Sequence, residues 1–352
     1  MRLLPFSSIR IKLILLSIMH LVTDGLCAFL VFSVLYPDNP QLAFVIFVAY
    51  NVLAFVTQSP VGLLIDRYNA PALFLSLSVG ALLLGYAVSG IALLSVLLIG
   101  LGNSVFHVAG GKYVTDKSGN GIVELGIFVS TGAIGLALGQ AFSEIKAVAY
   151  VFFALLIGSL LLLVLSPDPE TKERKDAPIK EGKATVVMMA VLGVVFIRSF
   201  VGKMVSADFT VSAGMLIVIS LFTALGKAMG GVVSRLIGIR LTTTVSMCVA
   251  AVCLTLGTAS PYIFILGVFA FNFSMPITLY FANTFLKGKE GFAFGTLAAI
   301  LAPAYFLAVF TNYSTVARVC TAVLCVVSIA IINMIHKRIS NAEGSCFSDR
   351  HS

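Results

Sequence analysis

Residues 147–166 read AVAYVFFALLIGSLLLLVLS and carry no charged side chain. A helix of about 20 apolar residues is about 30 Å long, which matches the hydrocarbon thickness of a bilayer. Runs of similar length and composition recur along the whole chain. We therefore predict twelve membrane-spanning helices, at 12–36, 41–64, 71–88, 91–112, 121–142, 147–166, 185–206, 211–234, 241–258, 261–285, 291–311 and 314–335.

The overall composition favours a membrane protein over a soluble one. Of the 352 residues, 59% are hydrophobic and 11% are charged, and the mean hydropathy is +1.06. Soluble domains usually contain about 25% charged residues. A soluble fold of this length could not bury so much apolar surface, so lipid must be the solvent for most of it. The first apolar run is too long for a signal peptide and is interpreted as the first span.

The positions of Lys and Arg predict the orientation of the chain. The net charge of +8 comes mainly from bases at one set of helix ends, such as Lys12, Arg67, Lys112, Lys117 and Arg235. The positive-inside rule assigns these ends, and both termini, to the cytoplasm. We expect a multi-pass protein of the plasma membrane, specifically a bacterial inner membrane. The bases form no stripe with stacking aromatics, so nucleic acid is not an expected partner.

An internal repeat divides the chain into two halves. Gly62 and Arg67 recur at a nearly constant offset as Gly230 and Arg235. Further pairs are Asn103 with Asn272 and Gly126 with Gly295. Duplicated halves enclose a central cavity in many transporters. The predicted fold is an all-α membrane protein with two pseudo-symmetric six-helix bundles, at 1–166 and 185–336, joined by a cytosolic linker at 167–184 and followed by a cytosolic tail at 337–352.

The stretch Gly62-Leu-Leu-Ile-Asp66-Arg67 resembles the loop motif of the major facilitator superfamily, and this resemblance extends over nearly the whole chain. Asn69 replaces a glycine of the motif, at a point where a left-handed turn is needed. The resemblance implies that Asp66 and Arg67 stabilise an outward-facing state through contacts across the cytosolic side.

Helix five resembles the antiporter motif of the same superfamily through Gly126, Gly135 and Gly139, but Gln140 replaces its proline. Gly132, Gly135 and Gly139 share one helical face, and small residues permit close helix contact. We expect these four glycines to pack helices.

Three short stretches resemble the fosmidomycin-resistance branch of the superfamily, at 20–24, 102–107 and 131–139. This resemblance implies proton-driven export of a small molecule by alternating access. We expect a monomer whose partners are its substrate, protons and membrane lipid.

Asp24 is the only acid near the middle of a predicted span, where a charge costs about 2.5–3.5 kcal/mol on insertion scales. His20 lies one helical turn earlier on the same face. A carboxylate beside an imidazole can hold or pass a proton, and it can equally form a hydrogen-bonded pair that only locks packing. His107 and Glu124 are further candidates for proton coupling.

Polar side chains within the predicted spans are candidates for a substrate cavity. These are Arg198, Asn51, Asn103 and Asn272. Lys227 lies nearer the cytosolic end of its span, where extension to the headgroups explains it. Cations inside the spans outnumber acids, which favours an anionic or carboxylated substrate.

Other function classes remain open. A proton-coupled importer, a non-transporting receptor or scaffold, and a membrane-embedded lipid-modifying enzyme could share this pattern. An enzyme is disfavoured because the chain has no paired-Asp, HExxH or GxSxG motif. No catalytic residue, metal site or cofactor is expected, since the spacing of the cysteines matches no zinc pair.

Overall fold

The computed structural model describes residues 9–172, 181–206, 212–257, 260–309 and 315–348. These residues form twelve helices and no strand. The helices are α1 (Ile9–Asp38), α2 (Pro40–Tyr68), α3 (Pro71–Ala87), α4 (Ala92–Ser118), α5 (Ile122–Ala141), α6 (Lys146–Leu165), α7 (Glu181–Ser206), α8 (Ala213–Ile237), α9 (Ile239–Leu256), α10 (Pro261–Phe285), α11 (Glu290–Val309) and α12 (Thr315–Ser348).

The predicted fold class is confirmed. Eleven of these helices contain segments long and apolar enough to cross a membrane, and the apolar α3 is shorter, at 17 residues. The predicted boundaries err mainly where helices continue past the apolar run. The fourth span is predicted to end at 112, whereas α4 continues to Ser118, and α12 continues past 335 to Ser348. Polar residues prolong these helices because backbone hydrogen bonding does not depend on apolar side chains.

We call the end of the bundle that carries Lys12, Arg67 and Lys117 the basic side, and the opposite end the far side. On the basic side α2 ends at Asn69, whose φ of 47° is left-handed, as expected for a residue that replaces glycine there. The predicted linker at 167–184 is described only at its two ends, because residues 173–180 lie outside the described part. The linker is predicted to reach 184, whereas α7 already begins at Glu181.

The start of the linker is held against the first half by Asp168. Its carboxylate accepts a 2.6 Å hydrogen bond from the Tyr113 hydroxyl and lies 3.6 Å from Lys12 and 3.5 Å from Lys117. Burial raises the pKa of Asp168, but the Tyr113 hydroxyl and the two ammonium groups outweigh burial and hold this pKa below its usual value.

Four helices depart from regular α geometry. α1 contains a π-helical turn at Val31–Leu35, and α2 contains one at Val52–Val56. α10 is interrupted at Asn272 and Phe273, and α11 at Ile300. Such irregular turns often occur at functional sites. Here each of them lies at or next to residues that line an internal cavity.

α5 packs closely against α1 within the first half. Side chains at Gly135 and Gly139 would overlap the carbonyl oxygens of Leu21 and Gly25, and one at Gly132 would overlap the Asp24 and His20 side chains. These glycines therefore allow the close approach that brings α5 to the middle of α1. Gly126 packs elsewhere, against the backbone of Lys227 in α8.

Two helix crossings join the halves on the basic side, and we call them the α2/α11 crossing and the α5/α8 crossing. At the α2/α11 crossing, Gly62 contacts the backbone of Gly291. The Asp66 carboxylate accepts hydrogen bonds from the backbone N–H groups of Gly291 (2.9 Å) and Phe292 (2.8 Å). Asp66 thus caps the first turn of α11 across the interface, where a carboxylate is favoured.

Lys112 adds a charge network to the α2/α11 crossing. Its ammonium lies 3.4 Å from Asp66, 3.1 Å from Asp116 and 3.7 Å from Glu290, and it is 6% exposed. Lys112 is predicted to mark a basic loop, but it is a buried base inside α4. Arg67, which the motif pairs with Asp66, is instead exposed at the end of α2.

The α5/α8 crossing uses a glycine without a charge network. A side chain at Gly231 would overlap the backbone of Ile122. Beside this contact, Asn120 donates hydrogen bonds to the Tyr280 carbonyl (3.1 Å) and the Thr284 hydroxyl (3.0 Å) of α10. The repeat aligns Gly62 with Gly230, but Gly230 packs on Phe273 of its own half. The neighbouring Gly231 makes the contact between halves, because it lies on a different face of α8.

Candidate functional site

Two cavities meet at the middle of α1. The central cavity, of about 230 Å³, is lined by residues of both halves, among them His20, Asp24, His107, Arg198 and Lys227. The far-side cavity, of about 410 Å³, shares Asp24 and His107 with it and continues along α1 to Tyr36. The two crossings join the halves on the basic side, whereas the far-side cavity extends from Asp24 towards the opposite end of α1.

Three side chains surround Asp24, and we call the four residues together the Asp24 cluster. The Asn103 amide donates a 2.9 Å hydrogen bond to Asp24 Oδ1. The Nε2 atoms of His20 and His107 lie 3.4 and 3.6 Å from the carboxylate oxygens. His20 is 5% exposed, His107 14% and Asp24 18%, so the carboxylate side of the cluster borders the cavities.

Hydrogen bonding fixes the tautomers of the two imidazoles. His20 Nδ1 lies 2.7 Å from the Phe128 carbonyl oxygen, and His107 Nδ1 lies 2.9 Å from that of Asn103. A carbonyl oxygen only accepts, so both Nδ1 atoms must carry hydrogen. The two Nε2 atoms nevertheless lie 2.9 Å apart, at hydrogen-bond distance. A hydrogen bond between them forms when the pair carries a third proton, for which Asp24 is the neighbouring counter-ion.

The Asp24 cluster also has the composition of a small metal site. Its two imidazole nitrogens and one carboxylate oxygen lie within 4.8 Å of one another, and N/O sets of this kind bind divalent metals. Arg198 and Lys227 line the same cavity and would repel a dication. The charge of the cavity therefore suits a proton better than a metal ion.

The second half contributes two cations to the central cavity. Arg198 of α7 and Lys227 of α8 line both the central cavity and a further cavity of about 330 Å³, which we call the second-half cavity. Neither cation forms an ion pair with a carboxylate among the described residues. Arg198 Nη1 is buried without a hydrogen-bond partner.

The remaining predicted cavity residues divide between the two halves. Asn51 and Asn103 line the far-side cavity, and Asn272 lines the second-half cavity. Asn51 and Asn272 each donate to a carbonyl four residues earlier in their own helix. Glu124 lies in the first turn of α5 on the basic side and lines none of the three cavities. The structure thus brings His20, Asp24, Asn103, His107 and Arg198 together and leaves Glu124 apart.

Lys227 is the site residue that the sequence did not predict. Its position near one end of its span suggested extension to the headgroups, but the lysine turns into the cavity. Its spacing becomes informative only once Gly231 is known to contact the other half, because Lys227 lies four residues before Gly231 and shares its helical face. That face packs against α5 of the other half, not against lipid.

The fold is similar to that of solved transporter structures, one of which is described as a major facilitator superfamily transporter. The fucose:proton symporter FucP of E. coli, in an outward conformation, matches with a TM-score of 0.66 at 14% identity, over 93% of this chain and 99% of that one. The human organic anion transporter MFSD10 matches with a TM-score of 0.64 at 12% identity, over 92% and 99%. A bacterial homologue of the iron transporter ferroportin, outward-facing, matches with a TM-score of 0.56 at 16% identity, over 95% and 99%.

These similarities show that the chain has the major facilitator fold. At 12–16% identity they extend no further than the fold. No known family profile matches the chain, and no curated protein does. The resemblance to the fosmidomycin-resistance branch therefore stays a prediction.

Proposed function

We propose that this protein is a secondary active transporter that moves a small organic molecule across the cell membrane by proton-coupled alternating access. One observation carries the proposal. A central cavity between two like halves joins the Asp24 cluster of the first half to the unpaired cations of the second. The transporter fold supports it, and one structurally similar protein is named a proton symporter.

Alternating access follows from the closed and open ends of the cavity. The basic side is closed by the α2/α11 and α5/α8 crossings, while the far-side cavity leads outward from Asp24. With the basic side in the cytoplasm, as the positive-inside rule predicts, this is an outward-facing state. Rocking of one half against the other would open the basic side and close the far side.

In this proposal, the third proton on the imidazole pair is the coupling proton. In the outward-facing state, His20 and His107 hold this proton beside Asp24 and are reached from the far side. When the basic side opens, the pair releases the proton to the cytoplasm, and Asp24 loses its counter-ion. The charge facing Arg198 and Lys227 therefore changes with each turnover, and this links proton movement to substrate affinity.

The decisive experiment compares Asp24→Asn with Asp38→Asn in proteoliposomes. Both changes remove a carboxylate from α1, but Asp38 is exposed at the far end of the helix. We expect Asp24→Asn to abolish substrate accumulation driven by a pH gradient and to leave substrate exchange intact. Asp38→Asn should behave as wild type. Gradient-driven accumulation by Asp24→Asn with the wild-type pH dependence would overturn the coupling role.

Orientation and direction need separate measurements. A cysteine introduced at the exposed Arg240 on the basic side should react with an impermeant reagent only in inside-out vesicles. Labelling in right-side-out vesicles would reverse the assignment of the two sides. Substrate leaving cells along with proton entry supports export, whereas net uptake would make the protein an importer on the same fold.

A further inference from the structure

We infer that Arg198 and Lys227 form the binding site for an organic anion with an acidic headgroup and an apolar body. The inference rests on the proposed function and specifies the substrate class of the same cavity. Lys227 has no predicted role in this site, and its position supplies the second charge.

The central cavity carries a net positive charge. Its lining contains two fixed cations and one carboxylate, Asp24, which leaves one net positive charge and a second when the imidazole pair holds its third proton. A buried charge without a partner costs several kcal/mol, so such groups are normally paired. The ligand that removes this cost carries one or two negative charges.

The two cations lie where two cavities meet. Both line the junction between the central cavity and the second-half cavity, together with Met275 and Leu301. A ligand at this junction touches both groups at once. The Arg198 guanidinium is suited to a bidentate contact with a carboxylate, and it has an Nη1 atom without a partner. The Lys227 ammonium adds a point charge beside it.

The rest of the lining of the central cavity is mainly apolar. Apart from the charged groups and imidazoles, the central cavity is lined mainly by apolar side chains such as Phe55, Val195, Phe294 and Leu297. A wholly polar anion would lose its hydration there without gaining partners beyond the two cations. An anion with an aromatic or branched aliphatic body buries apolar surface on these residues while its headgroup meets the cations.

Ligand binding to the purified full-length protein in detergent tests the inference without any gradient. The probes are benzoate, the dianion phthalate and the neutral isostere benzamide. We expect benzoate and phthalate to raise the thermal unfolding midpoint in a concentration-dependent manner, because they bind the folded state. Benzamide should leave the midpoint unchanged. Equal effects of benzoate and benzamide, or no effect of either anion, would overturn the inference.

Variants of the two cations test which side chains bind the anion. Arg198→Gln and Lys227→Gln should each weaken binding of the anions at least tenfold, while Arg198→Lys should restore part of it. Lys203→Gln is the matched control, since Lys203 also lies on α7 but sits 5.1 Å from the Tyr305 ring and lines none of the three cavities. An equal loss in the Lys203 variant would mean that a general field, and not a site, attracts the anion.

Stability separates a binding site from a structural role. Lys227 is a half-buried cation without an ion pair among the described residues, so Lys227→Met should raise the unfolding midpoint of the unliganded protein and should not bind. A lower midpoint in Lys227→Met would assign the lysine to packing and contradict the inference. Anion binding without transport would instead contradict only the proposed function.

Discussion

The two crossings that close the basic side share a glycine contact but differ in their polar chemistry. The α2/α11 crossing joins Gly62 to the backbone of α11 and adds the Asp66 cap and the Lys112 ion pairs. The α5/α8 crossing joins Gly231 to the backbone of α5, and the hydrogen bonds beside it, from Asn120 and from Asn283 to Thr115, are neutral. Both crossings therefore need close approach, but one is also held by charge.

This difference indicates how the basic side opens. When two helices slide at a neutral crossing, little stabilising free energy is lost, because the contacts are mostly van der Waals contacts and weak hydrogen bonds. A charged cap must be broken before its helices separate, and the exposed carboxylate and N–H groups must then be solvated. We expect the α2/α11 crossing to determine the fraction of closed molecules, with the α5/α8 crossing as a pivot.

The largest effect should come from filling either glycine contact. Gly62→Val and Gly231→Val place a branched side chain against backbone that cannot move aside. Each should reduce the closed population more than tenfold, seen as a longer distance between spin labels at Tyr68 and Arg240. Gly80→Val and Gly214→Val are matched controls, because no atom lies within 4 Å of either added Cβ. An unchanged distance in both test variants would contradict the close-contact role.

The second effect should separate the crossings. Asp66→Asn removes the charge from two hydrogen bonds and one ion pair, and hydrogen bonds to charged groups contribute about 1.5–3 kcal/mol each. Asn120→Gly keeps the left-handed backbone of that residue, where φ is 61°, and removes only neutral hydrogen bonds of about 0.5–1.5 kcal/mol. The fraction of open molecules, measured with the same label pair, should be about tenfold larger in Asp66→Asn than in Asn120→Gly. A larger shift for Asn120→Gly would reverse the assigned roles.

A third, smaller effect concerns Glu290. This buried carboxylate lies 3.7 Å from Lys112, but Asp66 and Asp116 already surround that single base. In Glu290→Gln the lost attraction to Lys112 is offset by lost repulsion from the other two carboxylates. We expect the closed fraction to stay close to that of wild type, because Asp66 and Asp116 still pair with Lys112. A loss as large as that of Asp66→Asn would show that Glu290, too, holds the crossing closed.

The smallest effect on the crossings should come from Asp168, which anchors the linker within one half. Asp168→Asn should speed amide exchange at 166–172 and leave the label distance unchanged. Because its folded pKa lies below the unfolded value of about 3.9, the anchor contributes above that pH and is lost as pH falls through the folded pKa. Amide exchange in wild type should therefore stay slow at pH 5. A longer distance between the labels in Asp168→Asn would mean that the linker takes part in closing the basic side.

The fold could be predicted from the sequence because the bilayer directly determines the length of the apolar runs and the placement of basic residues at the helix ends. Asp24 and His20 could be predicted for a similar reason, since a mid-span acid is costly and its helical neighbour is fixed by geometry. Lys227 and Gly231 could not, because their roles depend on which face of α8 meets the other half. Apolar helices carry little periodic signal for that face, since lipid and core are both apolar.

The unpartnered Nη1 of Arg198 has a consequence for the life of the protein in a cell. An empty carrier with an unneutralised cation in its cavity unfolds more readily than an occupied one, and unfolded chains are removed by proteolysis. The amount of this protein should therefore rise when its ligand is present, at constant synthesis. A ligand of this cavity could be recognised by slower degradation of the chain, without any measurement of flux.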